Sequence, residues 1–112
     1  MTQVAAIQMT SGPDVAANLF EAGRLITQAA ESGAQLIVLP ENFCLMPMKD
    51  SDRLREVELL DDGHIQNFLA EAARRHKIWL VGGTVPLTTD DSGKCRSACL
   101  VYNSLGERVA RY

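Results

Sequence analysis

The apolar residues in the first part of the chain alternate between short runs and helical spacing. Val4 to Met9 predicts a first strand. The next apolar residues recur every three or four positions, which predicts a helix reaching about Ser32: Val15, Leu19, Ala22, Ile26 and Ala29. Asp14 is suited to cap the start of this helix, and Gly33 stands where a left-handed C-terminal cap is needed.

A run of four large apolar residues, Leu36–Leu39, predicts a second strand that is buried on both faces. Strand, helix and strand in succession form a βαβ unit, so we expect the two strands to be parallel. A third strand, Ile78–Gly83, follows a second helical stripe that ends near His76. The amphipathic segment Arg53–Leu60 also favours a short helix.

The last part of the chain has an antiparallel pattern. Thr88–Lys94 is rich in turn residues and predicts a loop or hairpin tip. Arg96–Asn103 predicts one strand, with Ala98, Leu100 and Tyr102 on one face and Cys99 and Val101 on the other, and Glu107–Tyr112 predicts its partner. We therefore expect an α/β fold with a parallel βαβ start followed by an antiparallel hairpin. Because such a sheet keeps an open edge and an uncovered apolar face, residues 1–112 are interpreted as part of one larger domain.

Composition narrows the classes of function. The chain has 112 residues, is 46% hydrophobic and carries a net charge of −3, which argues against a nucleic-acid partner. The one basic cluster, Arg74–Lys77, falls at the end of a predicted helix, where cations are favoured. No apolar run approaches the roughly 20 residues that a bilayer requires, so we expect no membrane partner. Three cysteines without a secretory signal favour reduced thiols and a cytoplasmic protein.

Glu41 is the principal candidate for chemistry. Pro40 cannot donate to a sheet ladder, so it ends the second strand and places Glu41 at the carboxyl end. Ligands of open α/β sheets bind along that rim. Between Leu39 and Phe43 we expect a partly desolvated carboxylate, which suits a general base. The alternative is a solvated loop carboxylate.

Four segments resemble the nitrilase superfamily of carbon–nitrogen hydrolases, in order and with suitable spacing. They are Val4–Met9, Asn18-Leu19 followed by Gly33–Glu41, Trp79–Thr84, and Tyr102–Tyr112. The resemblance implies the N-terminal part of an α-β-β-α sandwich. It also implies an amidase-type enzyme that cleaves small amides to a carboxylic acid and ammonia, with no cofactor and as a homodimer or larger homo-oligomer.

The enzymes of that superfamily use a Glu, a Lys and a Cys, and the resemblance assigns the Glu to Glu41. It places the Lys just beyond Tyr112 and the Cys further on, so we expect residues 1–112 to be inactive alone. Lys49, Lys77 and Lys94 do not lie in a matching motif.

Other readings of the reactive residues remain open. Cys44 lies three residues from Glu41, but we favour a small core residue over a nucleophile. Cys95 and Cys99 lack the spacing of a metal site, and His64 and His76 are expected at the surface. A non-catalytic interaction module that needs a partner to complete its sheet is the main alternative. A nucleotide-binding domain is disfavoured because the loop Thr10–Pro13 has one glycine.

Overall fold

The computed structural model describes residues 2–112 and contains two helices packed on a five-stranded sheet. The elements in chain order are β1 (Val4–Ala6), α1 (Val15–Glu31), β2 (Leu36–Leu39), a 3₁₀ helix (Asp50–Arg55), α2 (His64–His76), β3 (Trp79–Gly82), β4 (Val85–Thr88), β5 (Cys95–Ala98), β6 (Leu100–Tyr102) and β7 (Arg108–Arg111). None of the described helices combines the length and the apolar character needed to cross a bilayer.

The main sheet has the strand order β1-β2-β3-β6-β7. Its first three strands are parallel and the last two are antiparallel, which confirms the predicted parallel start and antiparallel continuation. Strands β4 and β5 form a separate antiparallel ribbon, with the predicted tip between them. The parallel strands β2 and β3 run side by side, so their carboxyl ends meet at one edge of the sheet.

Both ends of α1 have the structure that the sequence predicts. The Asp14 carboxylate accepts a hydrogen bond from the backbone N–H of Ala17 at 3.3 Å, which satisfies one free donor of the first turn. At the other end, Gly33 adopts a φ of +101°, in the region that favours glycine. The chain therefore leaves the helix and enters β2 after a very short connection.

The core lies between the helices and one face of the sheet. Ile26 of α1 and Leu69 of α2 are fully buried, as are Ile37 and Leu80 on the sheet. Burial in β2 alternates along the strand, so the prediction that β2 is buried on both faces is wrong. The reason is that the helices cover one face only.

The opposite face of the sheet is apolar and partly exposed. The strand registers align Val4 with Leu36 and Trp79, and Ala6 with Val38, Val81 and Val101. Val4 is 60% exposed and Trp79 46% exposed, which is high for large apolar side chains. We call the seven aligned residues the open sheet face: Val4, Ala6, Leu36, Val38, Trp79, Val81 and Val101. Its presence agrees with the expectation of one helix layer and one sheet of a four-layer sandwich.

Two local predictions are wrong. The strand predicted over Arg96–Asn103 is divided at Cys99, so that β5 pairs with β4 whereas β6 joins the main sheet. The helix predicted over Arg53–Leu60 is replaced by the 3₁₀ helix and an extended segment at Glu58. Glu58 is extended because its N–H donates to Pro86 O and its carbonyl accepts from Thr88 N, both at 3.0 Å.

Candidate active site at the end of strand β2

Glu41 lies directly after β2, in a turn that begins at Pro40. The structure thus places it at the carboxyl ends of the parallel strands, as the sequence predicts. Its side chain is exposed, so the expectation of a partly desolvated carboxylate is not met in this structure. Within residues 2–112, no donor forms a hydrogen bond with that carboxylate. Glu41 faces outward at the start of the turn, whereas Phe43, Cys44 and Leu45, which come after Asn42, are buried in the core.

The turn is fixed by contacts with the end of β3. Asn42 has a φ of +58°, a left-handed conformation that asparagine tolerates better than most residues. Its backbone N–H donates to the Thr84 hydroxyl at 2.8 Å, and Phe43 N donates to Pro40 O at 3.2 Å. The peptide that follows Glu41 is therefore held by a side chain from the connection between β3 and β4.

Two glycines allow the ends of β2 and β3 to approach this closely. A Cβ atom on Gly83 would clash with Pro40 O, and Gly83 has a φ of +59°. A Cβ on Gly82 would lie 2.8 Å from Leu69 Cδ1 and 3.0 Å from Leu100 O. Both positions are filled by protein atoms, which supports a packing role over close approach by a ligand.

Cys44 is a core residue in this structure. It is 1% exposed, and its thiol lies 3.4 Å from Thr84 O as a weak hydrogen-bond donor. Burial raises the pKa of the Cys44 thiol to about 12, so it is almost entirely protonated at neutral pH. A protonated, enclosed thiol is a poor nucleophile, which agrees with the interpretation of Cys44 as a small core side chain.

Residues of the loop before α1 and of α1 itself hold the segment after the turn. Asn18 is buried, and its amide nitrogen donates to Cys44 O and Gly12 O, both at 2.8 Å. Its amide oxygen accepts from Gly12 N at 3.0 Å, and Ser11 Oγ donates to Phe43 O at 2.7 Å. Residues 43 and 44 are therefore fixed to the N-terminal loop and to the start of α1.

The other candidate residues are not gathered near Glu41. His64 is exposed, as predicted, while His76 is partly buried with its Nε2 3.2 Å from the Thr27 hydroxyl. Cys95 and Cys99 are unpaired and partly buried, near the ends of β5. In the part of the chain that the structure describes, no three His, Cys, Asp or Glu side chains form a group suited to a metal ion.

Sequence reasoning missed Thr84 and Asn18 as contributors to this site. Asn18 carries one usable signal, since a polar residue adjoins the apolar stripe of a predicted helix. Thr84 carries no such signal beyond its place after two glycines. Its contact with Asn42 joins positions 42 residues apart, and only the sheet register brings them together.

The architecture described so far, helices on one face of a mixed sheet with a carboxylate at the strand ends, is that of an α/β domain with a candidate ligand site at the edge of its sheet. The profile of the carbon-nitrogen hydrolase family matches residues 3–112. The chain therefore belongs to the carbon-nitrogen hydrolase family. The predicted resemblance to the nitrilase superfamily is confirmed.

Individual relatives agree with this assignment. The chain is similar to a deaminated glutathione amidase of Yersinia enterocolitica, with 34% identity over 97% of this chain and 38% of that protein. It superposes on Saccharomyces cerevisiae Nit3, a member of branch 10 of the nitrilase superfamily, with a TM-score of 0.87 and 29% identity, covering 99% of this chain and 43% of that one.

A third comparison involves a variant of the amidase from Nesterenkonia sp. AN1, which shows acrylamide joined by Michael addition to the active-site cysteine of that protein. The TM-score is 0.83 and the identity 25%, covering 100% of this chain and 43% of that one. The chain thus spans about two fifths of the length of each of these three proteins.

Proposed function

We propose that the protein carrying this chain is an amidase that hydrolyses small amides of carboxylic acids to the acid and ammonia, with Glu41 as the general base. The observation that carries the proposal is Glu41 itself, a carboxylate on a rigid turn at the carboxyl ends of β2 and β3. Amidases among the relatives support the class of reaction. In this proposal the Lys and the Cys come from sequence outside residues 1–112.

The first half of the proposed reaction forms a thioester. Glu41 accepts the proton of the cysteine thiol, because a free thiol is mostly protonated at neutral pH. The thiolate attacks the amide carbon, and the lysine ammonium stabilises the oxyanion of the tetrahedral intermediate. The C–N bond then breaks, and the leaving nitrogen takes the proton from Glu41 and departs as ammonia. Glu41 is thereby a carboxylate again.

The second half hydrolyses the thioester. Glu41 accepts a proton from a water molecule, whose oxygen attacks the thioester carbon. The C–S bond breaks, the carboxylic acid leaves, and the proton returns from Glu41 to the sulfur. The two halves together consume one amide and one water and release one acid and one ammonia. The Glu41 carboxylate is exposed in residues 2–112. In the proposed enzyme, the substrate and the rest of the protein would shield this carboxylate from bulk solvent.

The test is Glu41→Gln in the full-length gene product that contains these residues. Glutamine keeps the shape of the side chain but cannot accept the proton, so ammonia release from small ω-amides should fall by about 10²- to 10⁴-fold. Folding should be unaffected, because the Glu41 carboxylate is exposed and unbonded within residues 2–112. Circular dichroism and thermal unfolding measure that.

A matched control is Glu31→Gln, which changes another exposed carboxylate at the end of α1. It should leave both turnover and unfolding unchanged. Turnover near that of the unaltered protein in Glu41→Gln would refute the role of Glu41 as a base. Absence of turnover in the unaltered protein, on a panel of amides, would refute the amidase proposal as a whole.

A second candidate function is a non-catalytic interaction module whose partner completes the sheet. The open sheet face favours it, since a partly exposed apolar face is suited to bind another sheet. We also propose that the amidase is a homodimer or larger homo-oligomer, in which contacts between subunits would bury further surface. Measuring ammonia release from amides by the full-length protein distinguishes the two functions, because a non-catalytic module releases none.

A further inference from the structure

Thr84 contacts the peptide bond that carries Glu41. The amide nitrogen of Asn42 belongs to the same peptide group as the Glu41 carbonyl, and it donates to Thr84 Oγ1 at 2.8 Å. The direction in which the Glu41 side chain points depends on the orientation of this Glu41–Asn42 peptide plane. A hydrogen bond of this length from the connection between β3 and β4 therefore acts on Glu41 through one peptide unit.

The chain around Thr84 is built so that the hydroxyl reaches this place. Gly83 turns the end of β3 toward Pro40 with a φ of +59°, and no side chain would fit at that position. The carbonyl of Thr84 also faces the Cys44 thiol at 3.4 Å. Thr84 thus contacts the Glu41 turn with both its side chain and its backbone, from one fixed direction.

The turn needs an external contact of this kind. Asn42 has a φ of +58°, a conformation that few residues other than glycine adopt. Ser11 and Asn18 fix the carbonyls of Phe43 and Cys44, which lie one and two residues further on. Neither of these bonds acts on the Glu41–Asn42 peptide. That peptide is held by the turn bond from Phe43 N to Pro40 O at 3.2 Å and by the bond to Thr84, and the bond to Thr84 comes from outside the turn.

Water has little room to replace the hydroxyl. A cavity of about 10 Å³ adjoins the contact, lined by residues that include Asn42, Cys44 and Thr84. That volume is about the minimum that one water molecule occupies. Removing the hydroxyl without changing the side-chain volume would leave the Asn42 N–H poorly satisfied, so the turn would relax toward other conformations.

We propose that Thr84 is a positioning residue for the general base, because its hydroxyl fixes the Glu41–Asn42 peptide and thereby the direction of the Glu41 carboxylate. The inference rests on the proposed amidase function. It assigns no contact with substrate to Thr84. Proton transfer depends steeply on the placement of the base, and a displacement of about 1 Å can lower the rate by about 10²-fold.

The test is Thr84→Val against Thr84→Ser in the full-length protein, with kcat and KM measured separately on the best amide substrate. Valine keeps the shape of the side chain and removes the hydroxyl, so kcat should fall by about 10- to 100-fold while KM changes less than about twofold. Serine keeps the hydroxyl and should restore most of kcat. Thermal unfolding and the fraction of folded protein are measured for each variant, so that kcat is expressed per folded molecule.

Thr27→Val is the matched control. It removes a threonine hydroxyl that lies 3.2 Å from His76 Nε2 in the helix layer, and it should leave kcat unchanged. If Thr84→Val keeps the kcat of the unaltered enzyme, or if serine fails to restore activity, the positioning role is refuted while the amidase function stands. If the unaltered protein releases no ammonia, the proposed function fails, and the role of Thr84 fails with it.

Discussion

Glu41 and Cys44, three positions apart, have opposite environments. Pro40 ends the strand, and the left-handed Asn42 then turns the chain so that Glu41 faces outward and Phe43 and Cys44 face the core. The sequence predicts the position of Glu41 at the strand end but not its exposure. Exposure depends on which surfaces cover the turn, and that is a property of distant residues.

Cys44 should resist alkylation in the folded protein. With a pKa of about 12, only about one thiol in ten thousand is ionised at pH 8, and the side chain is enclosed by the core. Iodoacetamide at pH 8 should therefore label Cys95, which is partly exposed, long before Cys44. Peptide mass mapping over time measures both rates in one sample.

Denaturant provides the control for that experiment, because unfolding should make the two thiols react at similar rates. Rapid labelling of Cys44 under native conditions would contradict the buried position. It would also support the alternative interpretation of Cys44 as a nucleophile.

At the scale of elements, helix α2 begins without a capping side chain at its N-cap residue, Gly63. The acceptor comes instead from Glu58, a buried residue of the preceding segment. Its carboxylate accepts from Ile65 N at 2.7 Å, from Gln66 N at 3.2 Å and from Gln66 Nε2 at 3.1 Å. A negative charge at this end also complements the helix dipole.

We expect Glu58→Ala to lower the free energy of unfolding by about 2 kcal/mol, because it leaves buried donors of the first turn of α2 unpaired. Asp90→Ala, in the exposed loop between β4 and β5, should change it by less than about 0.5 kcal/mol. Urea unfolding of the full-length protein measures both. An equal effect of the two substitutions would show that Glu58 is not the cap of α2.

The elements differ in how well the sequence predicts them. The helices α1 and α2 follow from local spacing and polar ends, so their positions are confirmed. The division between β5 and β6 at Cys99 is not encoded locally, because the apolar run Ala98–Tyr102 continues through the break without interruption. The division is set by the pairing partners, because the first half of the segment pairs with β4 and the second half pairs with β3.

At the scale of the whole molecule, the sheet has helices on one face and the open sheet face on the other. The molecule measures 45 × 26 × 18 Å, so it is thin in one direction, as two layers require. The relatives are about two and a half times as long as this chain, and the family fold supplies two further layers. We therefore expect residues 1–112 to associate when they are produced alone.

Size-exclusion chromatography of residues 1–112 should show oligomers or aggregates, and a dye that binds apolar surface should fluoresce with them. Trp79→Ser, which removes the largest side chain of the open sheet face, should reduce both signals. Phe20→Ser changes an exposed aromatic residue on α1 and serves as the control. The same sample should release no ammonia from amides. A folded, dye-free monomer would contradict the need for a covering layer, and ammonia release would contradict the need for further catalytic residues.

The sequence by itself determined the parallel βαβ start, the helices α1 and α2, the end of β2 at Pro40 and the position of Glu41 after it. These depend on spacing, on the missing proline donor and on caps, all of which act within a few residues. The tertiary structure alone decided that Thr84 holds the turn of Glu41, that Glu58 caps α2 and that the segment predicted as one strand over Arg96–Asn103 is divided between two sheets. Thr84 lies 42 residues from Asn42, and Glu58 is held beside α2 by backbone hydrogen bonds to Pro86 and Thr88, so strand pairing between distant residues brings these groups into place.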